Sequence, residues 1–321
     1  MISSGFPRDS ATKTEVIDLK NNNITCEDLQ EFPFEISYAA GANLASWPII
    51  CGGVLPDESV SDKCFIYMEG GWQHFVTMIN RRSFTAGIVY NNAFHIFGGF
   101  DQTESTTLQS SEIIKKDGST IAGPQLPTPI QSHAIGSINS TVSIITGGLT
   151  DTPKFGQNWY FNHASQEFQS GPNLLEARVW HTSASITDQE TKEKILIVVG
   201  GYSEHNVSSR FLDRTEILSN GEWVAGINHK QLLYLSNYKG LSFLKLGPAL
   251  PKVLLYHSMV EVGENLYTIG GYSTDGLFQN EIQKLTCTSG ACSWTTLTQQ
   301  LKVHRMSAVA IPIMDSFCNP N

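Results

Sequence analysis

Short apolar runs ending in a glycine pair recur along this 321-residue chain. They are WPIICGG ending at Gly53, AFHIFGG at Gly99, VSIITGG at Gly148, ILIVVGG at Gly201 and LYTIGG at Gly271. β-Branched and aromatic residues dominate them, which predicts short buried strands. Each glycine pair marks a place where side-chain bulk or negative φ is not tolerated. Before each run lies a strand of small residues: SYAAGANL, SFTAGIVY, SHAIGSIN, WHTSASIT and YHSMVEV. After each pair comes a polar loop and then a third strand: DKCFIY, SSEIIKK, QNWYFNH, DRTEILS and NEIQKLT. A fourth short segment follows, often with an aromatic residue, as at Trp72, Phe168, Trp223 and Trp294.

Successive pairs lie 46, 49, 53 and 70 residues apart. Four strands in a unit of about 50 residues predict the blade of a β-propeller. The chain ends complete the count. HRMSAVAIPIM at the C-terminus is a first strand without a successor; MISSGF, KTEVIDL and ITCEDL at the N-terminus supply second, third and fourth strands, Ser4-Gly5 standing in for the glycine pair. The expected fold is therefore an all-β, six-bladed propeller of four-stranded blades. Its blades are expected near residues 37–76, 81–127, 129–174, 176–251, 252–300, and 302–315 joined to 1–30. Pairing of the chain ends leaves no open sheet edge between first and last blades. The second strand of the shared blade looks clipped, so the protein is expected to begin upstream.

The 70-residue interval stands apart. Deleting residues 224–244 turns GEWVAGIN…LKLGPALP into GEWKLGPALP, which matches the neighbouring blade ends. The segment reads as a late insertion or retained intron. The alternative is a binding loop on the propeller rim, since LLYLSNYKGLSFL is apolar enough to be one.

The glycine pair, the TEIL-type third strand, the tryptophan and an arginine opening the next unit (Arg82, Arg178) resemble the kelch repeat over essentially the whole chain. Thr25-Cys26, Asp28-Leu29, Phe32-Pro33, Pro48, Ile50-Cys51-Gly52-Gly53, Asp62 and Cys64 are spaced as in secreted kelch-repeat proteins of invertebrates. That resemblance implies a kelch propeller but leaves function open, because propellers host many unrelated activities.

Composition narrows the classes. Charged residues are 16% of the chain, below the roughly 25% usual for a soluble domain, and the net charge is −9. No block of lysine and arginine occurs, which argues against nucleic acid and anionic membrane surfaces as partners. No apolar stretch approaches the roughly 18 residues of a membrane span, and no secretory signal is visible.

Six cysteines are present, with no Cys-x-x-Cys and no histidine at zinc-ligand spacing. On the blades, Cys51 and Cys64 fall on antiparallel neighbours, and Cys287 and Cys292 flank a turn. Cys26 and Cys318 would join the two ends of the chain. Three disulfides, 51–64, 287–292 and 26–318, are expected; the alternative is free buried thiols acting as small hydrophobes. Disulfides persist mainly in oxidising compartments. The sequons at Asn23, Asn139 and Asn206 agree with that. An extracellular location is expected, with the cytoplasm as the alternative.

Candidate chemistry is sparse. No Gly-x-Ser-x-Gly elbow and no phosphate-binding loop is present. His133, His181 and His257 recur at nearly equivalent first-strand positions; they read as packing near the central channel, or alternatively as a metal ring. Galactose oxidase shares the kelch propeller, but its copper ligands and Tyr–Cys crosslink have no recognisable counterpart here. The iron-binding Glu-x-x-x-Asp-x-x-x-His motif of kelch nitrile-specifier proteins is absent too. No BTB or BACK region precedes the repeats. No cofactor or metal is expected, and the chain is expected to be a monomer.

What remains is a binding platform for a protein or glycan. Loops between second and third strands, and between consecutive blades, share one face. They carry Phe100, Asp101, Tyr202, Glu204, His205, Tyr272 and Asp275, with Arg82, Arg178 and Arg305 from the inter-blade set. Arginine and aromatics dominate interface energetics. The competing readings are an intracellular scaffold binding actin or a ubiquitin-ligase substrate, and an enzyme using the central channel.

Overall fold

The computed structural model describes residues 1–7, 12–19, 29–151, 157–187, 194–205, 208–225, 248–288 and 291–313. Every regular element among them is a strand, and the strands form a six-bladed propeller. In chain order β1 (Ile2–Ser3) and β2 (Thr14–Glu15) come first. Blade 1 is β3 (Ala40–Leu44), β4 (Trp47–Cys51), β5 (Lys63–Met68) and β6 (Gly71–Thr77). Blade 2 has β7 (Ala86–Tyr90) and β8 (Ala93–Phe97), a small hairpin of β9 (Phe100–Asp101) and β10 (Thr106–Thr107), then β11 (Ser111–Lys115) and β12 (Thr120–Ala122). Blade 3 comprises β13 (Ala134–Ser137), β14 (Val142–Thr146), β15 (Trp159–Asn162) and β16 (Glu167–Ser170). Blade 4 has β17 (Thr182–Thr187), β18 (Lys194–Val199), a hairpin of β19 (Tyr202–His205) and β20 (Ser208–Phe211), then β21 (Thr215–Ser219) and β22 (Glu222–Ala225). Blade 5 is β23 (Ser258–Val262), β24 (Asn265–Ile269), β25 (Glu281–Thr288) and β26 (Ala291–Gln300).

Blade 6 closes the ring. β27 (Val309–Ala310) pairs with β1 through Ile2↔Ala310 and Ser3↔Val309, and β1 pairs with β2. The C-terminus thus supplies the inner strand and the N-terminus the next two. The fourth strand expected around ITCEDL falls outside the described residues, as do Cys26, Cys318, Asn23, Asn206 and most of the 224–244 segment.

Position in the blade explains the composition of each strand. Second strands are sandwiched by neighbouring blades, so β4 is buried from Pro48 to Cys51 and β18 from Leu196 to Val199. Side chains of adjacent blades interlock there: Ile49, Ile66, Phe94, Ile96 and Ile114 form one apolar cluster between blades 1 and 2. Each such side chain contributes about 1.5–3 kcal/mol on burial. First strands crowd at the axis and need small residues. A Cβ on Gly41 would lie 2.2 Å from Val309 Cγ1, and one on Gly136 2.2 Å from Leu196 Cδ1. Fourth strands face solvent, as the mixed exposure of β6 shows.

The glycine pairs have a specific task. In every blade the second glycine donates its N–H to a carbonyl at the start of the next blade. The six bonds are Gly53 to Arg82, Gly99 to Ile130, Gly148 to Arg178, Gly201 to Leu254, Gly271 to Arg305 and Gly5 to Ile36, all 2.8–3.0 Å. This approach leaves no room for a side chain: a Cβ on Gly52 (φ +69°) would stand 2.2 Å from the Arg82 carbonyl oxygen. Ser4, at φ 66°, takes the first-glycine station in blade 6.

Cys51 and Cys64 face each other across β4 and β5 and are disulfide-bonded, with Cα atoms 4.0 Å apart and both residues fully buried. Cys287 and Cys292 form a second disulfide across the β25–β26 hairpin, again with Cα atoms 4.0 Å apart. Beyond β22, Pro248 resumes a regular blade end. Its carbonyl accepts the Trp294 indole N–H of blade 5, just as the Pro172 carbonyl of blade 3 accepts that of Trp223.

Candidate functional site

The residue two places after each blade-opening bond station takes up the same unusual backbone. Tyr38, Phe84, Ser132, Trp180, Tyr256 and Ser307 all have φ between 50° and 57°, a region uncommon for bulky residues. Successive members are joined by main-chain bonds: Phe84 N–H to the Tyr38 carbonyl, Ser132 to Phe84, Trp180 to Ser132, Tyr256 to Trp180 and Ser307 to Tyr256, at 2.7–3.2 Å. These bonds fix a conformation that local sterics disfavour. They also bring one side chain from each blade to the axis, on the face where first strands begin and second strands end.

Four of the six are aromatic. Phe84 lies 4.2 Å from Tyr38, Tyr38 5.4 Å from Tyr256, and Tyr256 4.9 Å from Trp180, centroid to centroid. The rings form an arc whose ends, Phe84 and Trp180, flank Ser132. The Trp180 indole N–H donates to Ser132 Oγ at 3.1 Å. Tyr202 extends the arc outward, 5.5 Å from Trp180 and 5.9 Å from Phe211. All four axial aromatics are half-buried. Together with the small residues of the inner strands they line an open cavity of about 240 Å³ at the channel mouth. Burial raises the phenol pKa of both Tyr38 and Tyr256. Both are neutral donors at physiological pH.

His133, His181 and His257 stand at equivalent positions just below the mouth. Their rings turn against the preceding blade. His181 Nε2 pairs with Thr146 Oγ1 at 3.0 Å and His257 Nε2 with Thr182 Oγ1 at 2.8 Å. His133 Cε1 is 3.3 Å from where a Cβ on Gly98 would be. Desolvation lowers the pKa of His133 and His257 to about 3 and that of His181 well below its ordinary value. All three are neutral packing groups. Among the described residues no group of three or more His, Cys, Asp or Glu is arranged to hold a metal ion.

The three expected arginines lie deeper than the loop face. Arg82, Arg178 and Arg305 are fully buried. Each is ion-paired to a carboxylate of its own blade: Glu112, Glu216 and Glu15. Each also donates to at least two carbonyls, for example Arg178 to those of Gly200 at 2.8 Å, Arg214 at 3.1 Å and Glu176 at 3.3 Å. Their guanidinium groups brace blades 2, 4 and 6. In blades 1, 3 and 5 the same station holds Ile36, Ile130 and Leu254.

The other expected residues are spread around the rim. Only Tyr202 joins the aromatic arc. Phe100 bonds its backbone to Ser83, and Asp101 accepts the Thr103 N–H at 2.9 Å to shape the β9–β10 turn. Tyr272 lies 5.8 Å from Phe278, and Asp275 accepts the Leu277 N–H at 3.0 Å. Glu204 and His205 are on β19; their side chains are outside the described set. Asn139, the described sequon, is exposed in the β13–β14 hairpin on the opposite face and accepts the Thr141 N–H at 2.9 Å. Sequence reasoning missed Tyr38, Phe84, Trp180 and Tyr256. A signal existed: SYA, SFT, VWH and LYH place an aromatic in phase just ahead of four of the six small-residue strands.

No family model matches the chain, and no curated protein matches it. Among solved structures, the one titled "Structure of YjhT" superposes with a TM-score of 0.67 at 11% identity, over 83% of this chain and 86% of that one. This likeness shows the propeller fold alone. No helix among the described residues is long and apolar enough to cross a membrane.

Proposed function

We propose that the protein is a non-catalytic, secreted kelch-type binding propeller, which recognises a protein or glycan by admitting a ring or apolar anchor group into the aromatic mouth. The observation that carries this reading is the arc Phe84–Tyr38–Tyr256–Trp180, half-exposed at an open cavity on the loop face. Rigid aromatics at the centre of a concave face are the surfaces that dominate binding energy. Tyr hydroxyls and Ser132 add directional hydrogen bonds at the same place. The disulfides support an oxidising location. The channel histidines are buried and neutral, and His181 and His257 pair with threonine hydroxyls of the preceding blade below the mouth, which supports a packing role for them.

Glycan-array screening and capture of extracellular partners with wild-type protein would identify ligands; Trp180→Ala and Tyr256→Ala are then compared with the rim variant Tyr272→Ala. Loss of at least tenfold in affinity for the mouth variants only is expected. A ligand that binds both mouth variants as tightly as wild type would overturn the reading. A thiol count on denatured, unreduced protein tests the location: free thiols at Cys51, Cys64, Cys287 and Cys292 would count against secretion.

A further inference from the structure

A second cavity, of about 500 Å³, opens at the other end of the strands between blades 2 and 3. It is bounded by the β7–β8 turn (Asn91, Asn92), the β11–β12 turn and Gln166, and two buried histidines form its inner wall. His95 is on β8; His163 follows β15. Their Nδ1 atoms face each other at 3.4 Å. At that separation one nitrogen can donate a long hydrogen bond to the other, the donor set by the tautomer. The distance also matches the separation of two ligands on a tetrahedral ion, which for metal–nitrogen bonds of about 2.0–2.1 Å comes to roughly 3.3–3.4 Å.

The surroundings hold this geometry. His163 Nε2 lies 2.8 Å from Ser143 Oγ. With Nε2–H donating to Ser143, Nδ1 presents its lone pair toward His95 Nδ1, the orienting role of an outer-shell hydrogen bond at metal sites. Tyr90 stacks on the His163 ring at 4.6 Å and 18°, and Phe161 packs edge-on at 4.8 Å. Burial lowers the pKa of both imidazoles to about 4, helped in His163 by the neighbouring His95. Both are therefore neutral ligands at pH 7.

We propose that His95 and His163 form an inter-blade site for a divalent first-row transition metal, Cu²⁺ or Zn²⁺, bound between the two Nδ1 atoms with water completing the coordination. Imidazole ligands select these ions over Mg²⁺ or Ca²⁺, and Cu²⁺ binds more tightly than Zn²⁺. Lys115, Lys116 and Asp117 are the charged groups lining the cavity. The excess of one positive charge opposes cation entry, so added salt is expected to strengthen binding by screening.

The test is calorimetric titration of the full chain with Cu²⁺ and Zn²⁺. One equivalent of Cu²⁺ is expected to bind at pH 7 and still at pH 6, where exposed histidines begin to protonate. His95→Gln and His163→Gln are each expected to weaken binding at least tenfold, and Ser143→Ala by a few-fold. The surface control His74→Gln is expected to have no effect. Binding that survives both cavity variants, or no binding to wild type, would overturn the assignment. Should either variant fail to fold, anomalous scattering from Zn²⁺-soaked crystals decides: a peak between the two Nδ1 atoms supports the site, and peaks only elsewhere refute it.

Discussion

The buried ion pairs of alternate blades make a quantitative prediction. Arg178 is fully buried and Glu216 is 2% exposed. Replacing Arg178 by Leu strands the Glu216 carboxylate with two backbone donors, Leu175 N–H at 2.7 Å and Glu176 N–H at 3.2 Å. It also removes the donor from the Gly200 and Arg214 carbonyls. Removing one partner of a buried pair costs about 3–5 kcal/mol. Blade 5 shows what the same station tolerates. Leu254 stands where Arg178 does, and Gln283, paired across from Thr268, stands where Glu216 does. Arg178→Leu/Glu216→Gln copies that solution: it removes the uncompensated charge and keeps an acceptor for the Leu175 N–H. The double variant is expected to lose only about 1–2 kcal/mol, so the cycle gives a coupling of at least about 2 kcal/mol. Urea unfolding of wild type, both single variants and the double variant measures it, and the Arg178→Leu melting temperature should drop by roughly 5–7 °C. If the double variant is as unstable as Arg178→Leu, to within about 0.5 kcal/mol, a stranded carboxylate is not what the single variant suffers from.

Three further outcomes follow from the same packing. His133 and His257 have pKa values near 3, and His95 and His163 near 4, below the roughly 6.5 of an unfolded chain. The unfolded state therefore binds more protons, and stability present above about pH 6.5 is lost as pH falls toward 4 and then 3, by ~1–2 kcal/mol per histidine at pH 5. Melting temperature against pH reads this directly, and a flat profile from pH 7 to 5 would contradict it. Removing the Cys51–Cys64 bridge as Ala/Ala is expected to cost about 2–4 kcal/mol in denaturant unfolding, more than removing Cys287–Cys292, whose loop is shorter. Ser4 holds a glycine station with φ 66° and a buried Oγ lacking a hydrogen-bond partner. Ser4→Gly is expected to stabilise by about 1 kcal/mol, and a destabilised variant would show that the hydroxyl is needed.

The architecture was legible because each blade obeys one rule under one constraint. A second strand buried on both sides must be apolar along its length, and a main chain touching the next blade must lack a side chain. Ile49, Ile50 and the Gly52–Gly53 pair express both in a few letters. Cys51 and Cys64 were legible once their strands were adjacent. The site was less so, because sequence periodicity reports which residues are equivalent, not how deep they lie. Arg82, Arg178 and Arg305 recur in phase and carry charge, which suggests a surface. Their partners Glu112, Glu216 and Glu15 are some 30 to 290 residues away in the chain, so nothing local shows that the charge is spent. His95 and His163 escaped for a related reason: one lies in a strand of blade 2, the other just past a strand of blade 3, and they meet only across the interface.

The axial mouth illustrates how a repeat can build a specific site. Its backbone station is constant around the ring, with φ near 50° at all six positions, because the inter-blade bonds demand it. Only the side chain is free to vary. Placing serine at blades 3 and 6, diametrically opposite, leaves two aromatic pairs as walls, Tyr38 with Phe84 and Trp180 with Tyr256. Tyr38 and Tyr256 touch across the blade 6 end, so entry is set by the gap at Ser132, between Phe84 and Trp180. Adding bulk there, as in Ser132→Phe, extends a ring into that gap without changing the strands. It is expected to abolish binding at the mouth, and to cost about 1 kcal/mol of stability through the lost Trp180–Ser132 hydrogen bond. A ligand still bound by that variant would have to enter from the loops of the rim.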